Sequence, residues 1–247
     1  MPRPRRSERG GAAAPAFGIS RLAPQLLFGA LLAASGCQTT VKESASSYSI
    51  SDAKPGSIVD AELKKLLEDV AEYPKRHDLH YRIAGIHFAK GEYRESADRL
   101  RRALSLAPSE PKYHFRLGQT YLRMQELGLA EKEFREAVRL WPPGRYSGPH
   151  AFLGYVLSLK RDHAGAIDEF KRCIETDPEN PDFYYAVGAQ YDIMGRKDEA
   201  ARYFHDYLLR GGTTYRKNAV FLLRKLGADV PESALDGPPP GEGPERS

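Results

Sequence analysis

Seven histidines and two cysteines are the side chains of this 247-residue sequence best suited to metal ligation, proton transfer or nucleophilic attack. The histidines are His77, His80, His87, His114, His150, His163 and His205, and none pairs with another histidine and an acid at a metal-ligand spacing on one helix face. No Gly-x-Ser-x-Gly, phosphate loop or paired-cysteine motif occurs. The sequence therefore predicts no catalytic residue, no metal site and no cofactor. What its residue types do support is packing and binding.

The elements that would position a binding surface are written in a period of about 34 residues between Lys75 and Gly212. Leu117-Gly118 is followed by Tyr121, Ala130, Phe134, Ala137 and Pro142. The next copy reads Leu153-Gly154, Leu157, Ala166, Phe170, Cys173 and Pro178, and the one after it Val187-Gly188, Tyr191, Ala200, Phe204 and Tyr207. Small residues such as Gly118 and Ala130 suit a close crossing of two antiparallel helices, and the recurring rings fill the gap to the neighbour. Pro108, Pro142 and Pro178 end second helices, while Gly91 and Gly195 mark the turn inside a pair.

These letters and offsets resemble the tetratricopeptide repeat, which implies an all-α solenoid. Four full units are expected: His77 to Glu110, Pro111 to Gly144, Ser147 to Asn180 and Pro181 to Thr214, with Arg145-Tyr146 as an insertion. A lead-in helix, or the second half of a degraded repeat, is expected within residues 58–76, its apolar residues being Leu63, Leu66, Leu67 and Val70, and a capping helix within 215–227, facing inward with Val220, Leu222, Leu223 and Leu226. Residues 228–247 read as a disordered tail. His80, His114 and His150 share the fourth repeat position, usually a packing aromatic in this family, and are read as its substitutes. Cys173 takes a small, buried packing position.

The N-terminus has a separate logic. Arg3, Arg5, Arg6, Arg9 and Arg21 precede an apolar stretch from Leu22 to Ala34, followed by Ser35-Gly36-Cys37. A basic region, a short apolar region and small residues make a secretory signal, too short for a membrane span. With cysteine after Ser-Gly the run resembles a bacterial lipobox, departing from it in having Ala34 where leucine is usual. The resemblance implies removal of residues 1–36, lipidation of Cys37, and, with Gln38 in place of aspartate, a periplasm-facing outer-membrane location. Residues 37–57 would be a flexible tether. Removing the leader takes Lys+Arg from 37 to 32 and Asp+Glu from 33 to 32, so the net charge falls from +4 to 0 and no electrostatic case for nucleic acid remains. Cys173 then has no partner for a disulfide within one processed chain.

A partner is expected to be protein, not a small molecule. The repeat sends positions 2, 5, 9, 12 and 13 of each first helix into the concave groove: Tyr81, Phe88, Lys112, Phe115, Gln119, Leu122, Arg123, Tyr155, Tyr185 and Asp192, with Ala151 and Ser158 beside them. Such rings suit an extended or helical peptide, or they pack against the next helix. Lys112 and Arg116 match one pair of the clamp that other repeat proteins use for chaperone C-termini, but Tyr81 and Gly85 stand where the rest would be. Lipobox, tether and array together resemble the pilotin-like lipoproteins of type IV pili (the PilF/PilW/Tgl group), which implies a secretin subunit as the partner and secretin assembly as the role. Those proteins typically carry six repeats. The NlpI-type scaffolds for cell-wall hydrolases and proteases, and the lipoprotein arm of the β-barrel assembly machinery, are the alternative resemblances.

Overall fold

A computed structural model describes residues 59–235, Arg145 excepted. The leader, Cys37 and the tether lie outside the described residues, as do residues 236–247. Among the described residues the elements are all helical: α1 (Val59–Glu72), α2 (His77–Ala89), α3 (Tyr93–Leu106), α4 (Pro111–Arg123), α5 (Leu127–Leu140), α6 (Gly148–Leu159), α7 (His163–Thr176), α8 (Pro181–Ile193), α9 (Lys197–Leu209), α10 (Arg216–Leu226) and a 3-10 turn at Glu232–Ala234. Each helix packs on its sequence neighbours, so the contacts run along the array, as a solenoid requires. None of these helices is long and apolar enough to cross a membrane.

The crossing inside each unit is set by one glycine and one ring. A Cβ added at Gly118, Gly154 or Gly188 would lie 2.7, 2.9 or 2.9 Å from the ring of Phe134, Phe170 or Phe204. The first unit has Ala84 and Leu100 at these two places, both fully buried. The larger first-helix residue is thus accommodated by a smaller partner on the second helix. Ser96, at the small position of that unit, satisfies its hydroxyl by donating to the Ala84 carbonyl at 2.9 Å.

Every unit turns from its first helix to its second through a left-handed residue at the same register: Gly91, Gln125, Arg161 and Gly195, with φ of 79°, 63°, 67° and 73°. Glycine meets this demand in the outer units only. Pro111 and Pro181 open α4 and α8 at the first helical turn, where no intrahelical donor is needed. Asp162 and Asn180 cap α7 and α8 by accepting from the amides of Gly165 and Asp182 at 3.0 and 3.1 Å.

The insertion has a structural role. Tyr146 lies on Trp141, ring centroids 5.1 Å apart, and both meet Phe115 edge-on at 6.3 and 6.1 Å. At the far end α10 buries Ala219 and Leu223, with Val220, Leu222 and Leu226 packed beside them, and Gly227 closes it with φ 72°. Residues 228–235, expected as the start of a disordered tail, fold back on the array instead. Ala228 and Val230 pack on the core, Ala234 is buried, and the Arg216 guanidinium donates to the carbonyls of Ser233 and Ala234. Ala234 falls one period after Ala200, at the register of a second helix's small position, and closes a 3-10 turn.

Candidate functional site

The first helices α2, α4, α6 and α8 carry the predicted groove residues, and the structure separates them into two sets. Phe115, Leu122, Tyr155 and Tyr185 are buried. Phe115 sits among Phe134, Trp141, Tyr146 and Phe152, with centroid distances from 5.2 to 6.3 Å. Tyr185 stacks on Tyr215 of the cap at 4.3 Å and 11°. Burial pushes the Tyr155 phenol up to about 12 and raises that of Tyr185. These four side chains belong to inter-helix packing, which leaves little of their surface for a ligand.

The second set stays accessible. Tyr81 stacks on Tyr113 at 4.8 Å, and the Lys112 ammonium lies 5.9 and 5.6 Å from those two ring centroids. The Arg116 guanidinium lies 5.3 Å from the centroid of Phe88. Arg116 was missing from the predicted groove set, although its spacing of four from Lys112 puts both on one helix face. Between Tyr81 and Phe88 stands Gly85, where a Cβ would meet nothing within 4 Å, so the helix surface is open there. Gln119 is half-buried, its Oε1 without a hydrogen-bond partner, and Arg123 is exposed. Asp192, at the other end, faces Lys225 at 3.7 Å. The two ends of the row are therefore unlike, aromatic and cationic at α2–α4, and charge-paired at α8–α10.

Six of the seven histidines make contacts within the scaffold. His80 and His114 place Nε2 at 3.3 and 3.0 Å from the carbonyls of Pro74 and Pro108, and the Tyr184 hydroxyl donates to that of Pro178 at 3.2 Å. In three of the four units the fourth position thus fastens to the carbonyl of the proline six residues before it. His114 and His150 also set Nδ1 at 2.7 and 2.6 Å from Glu133 and Glu169 on their own second helices. The Glu133 carboxylate holds the His114 imidazole above its ordinary pKa. His77 meets the Tyr113 hydroxyl, His87 meets Glu92, and His163 meets Gln190. Burial pushes the Cys173 thiol well up, and it donates to the Ser147 carbonyl at 3.5 Å. Among the described residues no group of three or more His, Cys, Asp and Glu could hold a metal ion.

This geometry is that of a tetratricopeptide-repeat solenoid, an array that typically serves as a non-catalytic scaffold for protein contacts. Profiles of the tetratricopeptide repeat match residues 81–145, 150–180 and 169–202. The crystal structure of MamA superposes with a TM-score of 0.59 at 20% identity, covering 62% of this chain and 88% of that one. That of YrrB, described as a tetratricopeptide protein with an unusual peptide-binding site, superposes with a TM-score of 0.57 at 19% identity, covering 70% and 88%. Two curated relatives are more distant in length. The cell division cycle protein 16 homolog of Homo sapiens is 29% identical over 126 residues, 46% of this chain and 20% of that protein. The BBSome complex member BBS4 of Bos taurus is 23% identical over 143 residues, 58% and 27% respectively. The chain thus spans between a fifth and just over a quarter of the length of these relatives.

Proposed function

We propose that this chain is a non-catalytic adaptor lipoprotein, anchored through Cys37 to the periplasmic face of a bacterial outer membrane. Its groove takes up a segment of a secretin subunit and assists secretin assembly in type IV pilus biogenesis. The observation that carries the binding half of this reading is the open stretch of Tyr81, Gly85 and Phe88, flanked by Lys112 and Arg116. Two ring faces bordering a side-chain-free floor give a segment apolar anchors, and the two cations fix its direction through its own charges. The similarity in fold to YrrB supports a peptide as the ligand. The leader and Cys37 in the sequence support the anchor.

The test is deletion of the gene, followed by membrane fractionation and blotting for heat-resistant secretin multimers. Loss of multimers with persistence of monomer is the expected result. Complementation with Cys37→Ala should mislocalise the protein, and Phe88→Ala with Lys112→Glu should leave it in place but inactive. Unchanged multimers in the deletion strain would refute the secretin assignment and make cell-wall hydrolases and their proteases the partners to pursue.

A further inference from the structure

Every intact unit buries its seventh residue. Ile83, Leu117, Leu153 and Val187 are 0, 2, 1 and 0% exposed, each on a first helix against which the second helix of its own unit packs. One period beyond Val187 the register reaches Phe221 of α10, which is 65% exposed. Beyond the 3-10 turn no second helix follows α10 among the described residues. Residues 236–247 carry no apolar side chain other than proline.

Phe221 lies at the centre of the solvent face of α10. Lys217, Arg224 and Lys225 surround it at one-turn spacings, and the helix contains no acidic residue. Lys225 makes its long contact to Asp192, while Lys217 and Arg224 make no ion pair with a described residue. A docked helix suits this face poorly. Leu222 stands where Gly188 lets α9 approach, and Lys225 stands where Tyr191 packs, so a helix in that place would meet bulk and a charge. A planar anionic surface needs neither a small residue nor an apolar stripe. It needs one aromatic at interfacial depth and several cations at the level of the phosphates.

We infer that the outer face of α10 docks on an anionic lipid surface, Phe221 entering the interfacial layer and Lys217, Arg224 and Lys225 meeting lipid phosphates. This goes beyond the adaptor reading and does not depend on acylation of Cys37. Each cation held at such a surface contributes about fivefold in affinity. The contact is therefore weak alone and strong as a second attachment for a tethered array.

The experiment uses the chain from residue 37 onward, which contains every described helix, with Cys37→Ala so that no acyl chain contributes. Vesicles of phosphatidylethanolamine with phosphatidylglycerol should co-sediment it, and vesicles of phosphatidylcholine should not. Binding should fall as salt rises. Lys217→Glu with Arg224→Glu should weaken it by on the order of twentyfold or more, and Phe221→Ser by about tenfold, with unchanged far-UV circular dichroism. Phe221→Trp should shift its emission to the blue on anionic vesicles. Absence of binding to those vesicles, equal binding by the variants, or equal binding to phosphatidylcholine overturns the inference. So does a Phe221→Trp shift produced by a soluble acidic amphipathic peptide and by no vesicle, which would make the face a site for protein.

Discussion

Gly118→Ala tests whether helix crossing in this array is set by the glycine–ring pair. The new Cβ would lie 2.7 and 2.8 Å from Cε1 and Cδ1 of Phe134. Phe134 is fully buried, with Phe115 and Phe152 at centroid distances of 5.8 and 5.4 Å, so the ring cannot swing away. Overpacking of this kind costs about 1–3 kcal/mol, and alanine recovers about 1 kcal/mol of helix propensity over glycine. The expected net loss is about 1 kcal/mol, reaching about 2 if the helices are forced apart. The first unit, with Ala84 and Leu100, supplies the control. Phe134→Leu alone should destabilise by leaving a gap, but Gly118→Ala added to it should be neutral or stabilising. The coupling between the two sites is then about 1–2 kcal/mol in the compensating direction. Urea unfolding followed by circular dichroism reads this as midpoint shifts at constant slope. Strict additivity of the pair, or a Gly118→Ala protein as stable as the parent, would refute the reasoning.

Gln125→Gly and Arg161→Gly should each stabilise the array by a few tenths to about 1 kcal/mol, since a left-handed backbone costs an L-residue about 1–2 kcal/mol and glycine's extra chain entropy returns only part of that; thermal melts check it, and a lower Tm in both would exclude the strain. His114 has its folded pKa raised, first by its hydrogen bond to Glu133, so the stability it contributes is fully present below the unfolded value of about 6.5 and is lost as pH rises through the folded pKa. The stability difference between the parent and His114→Gln should therefore widen as pH falls from about 8 toward about 6, and a pH-independent difference would contradict the pairing. Cys173, buried and with its thiol pushed up, should resist an aromatic disulfide reagent in the folded protein and react once urea unfolds the third unit. Prompt native-state reaction would show that the crossing of α6 and α7 opens.

The fold was legible because the period is carried by residues with a steric duty. Gly118, Gly154 and Gly188 face their rings across a crossing where nothing larger fits. The groove was less legible, since position in a repeat gives the direction of a side chain but not how closely the next helix covers it. Phe115 points along the predicted row and is covered by Trp141 and Tyr146, two rings that belong to the irregular joint and to no repeat position in the pattern. The histidine joints could have been found: His114 and Glu133 are 19 residues apart, as are His150 and Glu169. The Nε2 partners of His80 and His114 are backbone carbonyls, which no side-chain pattern reveals. The folded stretch 228–235 was signalled by Ala234, one period beyond Ala200, but the prolines and glycines that follow it hid the register.

A superhelix of this kind is a spring, and its stiffness is distributed over its joints. The carbonyls of Pro74, Pro108 and Pro178 each hold the side chain six residues ahead by a directional bond that resists sliding. Between Pro142 and His150 the separation is eight residues, and the joint is a nest of rings. Directional bonds thus join the units on either side of a midway joint that is built from packed rings. Under a load spread along the array, we expect the pitch to alter first at the joint of Trp141 and Tyr146.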